Sequence, residues 1–132
     1  MHPEGEKNLK KILKNLNPVL NEGEYVYCQT GQLNSIPLSD VLFFFRENEA
    51  FTIVMKKEDA ERHSLNFQYT AAWITFEVQS SLDAVGMTAA FSNALGNDGI
   101  SCNVVAAYYH DHIFVDLKDA KQALRVLKSF QS

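Results

Sequence analysis

The sequence predicts an α+β fold in two lobes, with antiparallel sheets, helices on one face and strands shared between the lobes. Three observations carry this. The β-favouring runs and amphipathic stretches follow the order α-β-β-β-α up to residue 65 and β-α-β-β-α from residue 72. No Gly/Ser linker, low-complexity stretch or obvious repeat divides the two halves. A β-α-β-β-α unit lacks one strand and leaves a sheet edge that proteins normally cover, and the first half has strands to spare.

The first helix is predicted from Glu6 to Asn17. Leu9, Ile12, Leu13 and Leu16 form its apolar stripe, and Lys7, Lys10, Lys11 and Lys14 occupy the other side. Pro18 ends it, because the residue before a proline avoids the helical basin. After a connection containing Asn21 and Gly23, the Tyr- and Val-rich segment Glu24 to Thr30 reads as a strand. Gly31 to Ser39 has turn chemistry. Val41 to Arg46 and Phe51 to Lys56 then form a hairpin around Glu47-Asn48-Glu49, and Lys57 to Leu65 a short helix.

In Ala72 to Val78, Trp73, Thr75 and Glu77 alternate with Ala72, Ile74, Phe76 and Val78, the period of a half-buried strand. Ser80 or Ser81 can cap a following helix with Leu82, Val85, Gly86, Ala89 and Ala90 on its buried face and Asp83 in its first turn. Gly96 and Gly99 end that helix. Ile100 to Tyr109 reads as a second strand, Ile113 to Val115 starts a third, and Ala120, Ala123, Leu124, Leu127 and Phe130 stripe a last helix.

Composition narrows the function. The 132 residues are 46% hydrophobic and 21% charged, ordinary globular usage. Apolar runs such as Val41 to Phe45 fall far below the ~18 residues of a bilayer span, and no charged-then-apolar signal opens the chain. A cytoplasmic protein that does not engage membranes is expected. A net charge of -4 opposes capture of nucleic acid or anionic lipid, and the lysines of the first helix read as its solvated side. Cys28 and Cys102 have neither metal spacing nor disulfide-framework spacing, and both read as buried thiols.

From Val78 onward the order is Ser80-Ser81-Leu82-Asp83-Ala84-Val85-Gly86, a helix, then Leu95-Gly96-Asn97-Asp98-Gly99-Ile100 into a strand, Asn103, and Tyr109-His110-Asp111-His112-Ile113-Phe114-Val115. This pattern resembles the ACT domain, a small β-α-β-β-α-β module that binds amino acids and regulates metabolism. Taken whole, the chain resembles the small bacterial two-lobed ACT proteins, and its second half is similar to the repeats of animal cytosolic arginine sensors. The resemblance implies two ferredoxin-like lobes, a divergent one over residues 1–70 and an ACT domain over 71–132. The departure from the pattern is the missing last strand, which residues 24–30 or a neighbouring chain would supply.

The resemblance also implies that the loop at Ser80, Ser81, Leu82 and Asp83 cradles an amino acid, with Val85 and Gly86 in the same candidate set. Exposed amides at a helix start suit a carboxylate, although plain N-capping explains these residues equally. Gly86, costly inside a helix, reads as a close approach by a strand or a ligand, packing before ligand. The Asn103 amide can reach a ligand or a neighbouring strand. Asp111, read into a tight His110-Asp111-His112 turn, resembles the acidic residue that meets the ligand's positive end in the arginine sensors, although turn propensity accounts for it as well.

His110 and His112 lack a third and fourth metal ligand, so no metal and no cofactor are expected. Sequence signatures of a nucleophile elbow, a phosphate-cradling glycine loop or a zinc protease are absent, which points away from an enzyme. Phe43-Phe44-Phe45 and Tyr108-Tyr109 fit core and interface packing better than base stacking, since the RNA-binding signature is missing. The expectation is an oligomeric, amino-acid-binding regulator. A protein-interaction module without a ligand is the alternative.

Overall fold

The computed structural model describes residues 8–131. The predicted helix start at Glu6 and the predicted solvated Lys7 lie outside them. In chain order the elements are α1 (Leu9–Lys14), β1 (Pro18–Leu20), β2 (Tyr25–Thr30), β3 (Phe43–Arg46), β4 (Phe51–Lys56), α2 (Lys57–Arg62), β5 (Thr70–Phe76), α3 (Met87–Asn97), β6 (Asn103–Ala106), β7 (Asp111–Asp116) and α4 (Ala120–Lys128). Short 3-10 turns lie at Leu38–Asp40, Leu117–Asp119 and Ser129–Gln131.

The chain forms two compact units. One joins the described residues through Glu22 to those from Ala72 onward, and the other is Gly23–Ala71. In the first unit the strands lie in the order β1-β5-β7-β6. Ala72, Ile74 and Phe76 of β5 and Ile113 and Val115 of β7 alternate onto one face, where Ile12 and Leu16 of α1, Phe91 and Leu95 of α3, and Ala123 and Leu127 of α4 bury them in a single core. The Phe76 and Phe91 rings meet at 4.8 Å between centroids. Each fully buried Ile, Leu or Phe here contributes about 1.5–3 kcal/mol, far more than the local propensity of a short helix such as α1.

β1 corrects the sequence reading, which ran a connection through these residues and assigned the missing strand's place to residues 24–30 or a neighbouring chain. Pro18↔Phe76, Val19↔Thr75 and Leu20↔Ile74 pair antiparallel, so β1 fills that place. A proline at the head of a three-residue strand gives no alternation to read. The helix before it ends earlier than Pro18 requires: Asn15 caps α1, and Asn17, at φ 51°, turns the chain into β1.

In the second unit the order is β3-β4-β2, with the predicted hairpin in register from Phe43↔Val54 to Arg46↔Phe51. β2 pairs with β4 along its whole length, and Tyr25 and Val26 pair on its other side with Ala71 and Thr70. Val26, Cys28, Ile53, Met55 and Ala60 form the core, with Ile36 reaching in from the turn segment. α2 stops at Arg62 rather than at Leu65, in a Schellman ending in which Leu65 N–H reaches Ala60 C=O at 2.9 Å and Ser64 N–H reaches Glu61 C=O at 3.1 Å.

Candidate ligand site

Where β5 ends and β7 begins, alternation that buries Ile74 and Phe76 on the helix side turns Trp73 and Thr75 to the opposite face. Trp73 stacks on Phe114 of β7, the rings 15° apart at 6.4 Å. Its indole N–H donates to His112 Nδ1 at 3.0 Å, and the Thr75 hydroxyl lies 3.0 Å from the same nitrogen. Asn21 Nδ2 donates to Thr75 Oγ1 at 2.9 Å. Since an indole can only donate, Nδ1 is the acceptor and the neutral ring carries its proton on Nε2. Burial, helped by nearby His110, holds the His112 pKa below its ordinary value against the pull of Asp111.

Beside this network Ser80 Oγ donates to Asp111 Oδ2 at 3.1 Å. Two candidates that lie far apart in the sequence are thus joined in space. Burial raises the Asp111 pKa, and the Ser80 hydroxyl, His112 and His110 oppose that rise. A half-buried carboxylate kept at this desolvation cost is a natural partner for a cation.

Ser80 and Ser81 do not cap a helix, contrary to the sequence reading. Ser80 is buried against Asp111, while Ser81 Oγ donates to Asp83 Oδ1 and accepts from the Asp83 N–H at 3.4 Å. The Ala84 N–H is taken by the Ser81 carbonyl, so the Asp83 and Ala84 amides close on the loop itself. Leu82 and Val85, expected on a buried helix face, are 69% and 84% exposed. The helical spacing misled because the heavier stripe, Met87, Phe91 and Leu95, belongs to a helix that starts later.

Gly86 is the residue at which α3 starts. It lies at the N-cap in a left-handed conformation, φ 98°, rather than inside the helix. A Cβ there would sit 3.1 Å from Leu9 Cδ2, so the close approach is made by the side chain of Leu9 on α1. Gly86 has no side chain with which to cap α3, and the first turn of the helix holds no acidic residue.

Asn103 Nδ2 points to the Phe114 carbonyl across the β6–β7 ladder at 3.4 Å. Asp111 is not in the turn. The turn is Ala107 to His110, closed by Ala107 N–H to His110 C=O at 3.0 Å, and Asp111 opens β7 opposite Ala106. Tyr108 and Tyr109 at the tip pack edge to face at 5.0 Å. Among the described residues no cluster of His, Cys, Asp and Glu fit to hold a metal forms. Cys28 is buried as expected, whereas Cys102 is only half-buried; burial still pushes its thiol up to about 11, an unreactive value.

Two family models of the ACT domain match the chain, one over residues 4–72 and one over residues 68–129. Among solved structures, a Vibrio cholerae protein of unknown function described as a possible transport protein is 42% identical, with a TM-score of 0.85 over 96% of this chain and 98% of that one. A protein from Agrobacterium tumefaciens aligns at 18% identity and a TM-score of 0.68, covering 87% of this chain and 88% of its own. The regulatory subunit of aspartate kinase from Thermus flavus shares the fold at 10% identity and a TM-score of 0.64, over 88% of this chain and 97% of that one. No curated protein matches the sequence.

Proposed function

Because the chain belongs to the ACT-domain family, we propose that it works by binding a free amino acid and relaying its presence to a partner, without turning the ligand over. The supporting observation is the Asp111 carboxylate, held half-buried by Ser80 and costly to leave without a cation. In this reading Asp111 receives the ligand's ammonium group and the first-turn amides of α3, after Gly86, receive its carboxylate. Leu82 and Val85, exposed on the loop between them, cover the ligand side chain, with Ser81, Asp83 and Asn103 at the margin.

The kinship in fold with a regulatory subunit of aspartate kinase supports regulation over catalysis. The regulator is proposed to be an oligomer of the cytoplasm that acts without nucleic acid or cofactor. Among the described residues no helix is long and apolar enough to cross a membrane. Ordering of the Ser80 to Gly86 loop around the ligand is the step that biases the partner.

Phe44 and Phe45, 44% and 66% exposed on β3, favour a second reading in which the chain is an interaction module. A thermal-shift screen of the twenty amino acids, followed by calorimetry, separates the two. Binding of one amino acid that is lost in Asp111→Asn supports the sensor. A stable protein partner with no bound metabolite supports the module.

A further inference from the structure

The unit Gly23–Ala71 contains a cavity that the amino-acid reading does not use. β5 pairs with β2 only at Val26↔Thr70 and Tyr25↔Ala71. Beyond Val26, the segment from Ser64 to Tyr69 runs past β2 as a loop, and a cavity of about 610 Å³ opens between them, of the size that takes small ligands. Ser64, at φ 56°, sets the departure of that loop from α2.

The chemistry of the walls is consistent. None of the residues lining the cavity carries a charge. Gln29, Asn66 and Gln68 contribute three amides, each able to donate and accept. Tyr27 and Tyr69 add rings 5.8 Å apart, and burial together with Tyr69 pushes the Tyr27 phenol up to about 12, so it stays protonated at any physiological pH. A carboxylate, phosphate or ammonium entering here would meet no counter-charge from the walls. A flat neutral ring bearing amide or amino groups would find matched hydrogen bonds and an aromatic face to stack on.

We infer that the cavity between β2 and the Ser64–Tyr69 loop is a binding site for an uncharged, amide-bearing heterocycle of the nucleobase kind. It is separate in residues and in chemistry from the site at Asp111, so either assignment can fail alone.

Calorimetry on the full chain tests it with neutral probes (uracil, cytosine, hypoxanthine and nicotinamide) and with two carboxylated counterparts, orotate and nicotinate. At least one neutral probe binds at submillimolar concentration, and its carboxylated counterpart binds at least tenfold more weakly. Asn66→Ala and Gln68→Ala each weaken that probe about tenfold; both residues are exposed, so an unchanged melting temperature verifies the fold. Asp111→Asn leaves the binding unchanged. Absence of binding by every neutral probe at millimolar concentration, equal affinity for a carboxylated counterpart, or tighter binding of a monosaccharide overturns the assignment.

Discussion

The indole N–H of Trp73 donates to Nδ1 of His112 at 3.0 Å, so the protonation state of the imidazole is tied to the environment of the chain's single tryptophan. Protonating Nδ1 would set two N–H groups against each other. With burial also depressing the His112 pKa, Trp73 fluorescence is expected to change on acidification with a midpoint below 6.5, and His112→Gln is expected to abolish that transition. The linkage has a definite sign. The unfolded chain takes up this proton at its ordinary pKa and the native state resists it, so stability falls as pH drops below 6.5 and levels off below the native pKa. Denaturant titrations at pH 7.5 and pH 5 of the wild type and His112→Gln measure this contribution.

Asp111→Asn is expected to stabilise the protein at neutral pH. Burial raises the Asp111 pKa, so the native state binds this proton more tightly than the unfolded chain does. Stability from this group is highest below 3.8 and is lost as pH rises through the raised native value. The melting temperature of Asp111→Asn should exceed that of the wild type by a few degrees at pH 7 and match it near pH 3. A drop at pH 7 would show that the carboxylate stabilises the fold and is not held at a cost.

Ser64 occupies the position after the α2 cap where left-handed geometry favours glycine, at φ 56°. Ser64→Gly should raise stability by about 0.5–1 kcal/mol in urea titrations with an unchanged m-value. Gly99 fills the equivalent place after α3 at φ 74°, where Ile100 N–H reaches Leu95 C=O at 3.0 Å, and Gly99→Ser should cost a similar amount.

Gly86→Ala combines a left-handed φ of 98° with a Cβ 3.1 Å from Leu9 Cδ2. A loss of about 1–3 kcal/mol is expected, and trimming Leu9 to Ala in the same chain should recover the steric part while the conformational part remains. Full additivity of the two substitutions would mean that α1 and the start of α3 do not press on each other.

The second half was largely legible where burial imposes a period. Ala72, Ile74 and Phe76 alternate in the sequence and in the core, and Ala123 and Leu127 of the last helix do the same at helical spacing. The departures occurred where polar contacts between distant residues decide. Nothing near Ser80 announces that Asp111 will take its hydroxyl and leave the helix to start at Gly86. Leu82 and Val85 look like core residues because hydrophobicity alone cannot distinguish a buried face from an exposed loop. β1 was too short to show alternation. The Asn21, Trp73, Thr75 and His112 network was missed, although the period that put Trp73 and Thr75 on one face was visible and marked that face as the one to search.

Calorimetric titration of the wild type and Asp111→Asn with each amino acid tests the central claim most directly. The account predicts one amino acid that binds the wild type and binds Asp111→Asn at least tenfold more weakly, while that variant melts higher. An amino acid that binds both proteins equally, or the failure of all twenty to bind the wild type at millimolar concentration, would contradict it.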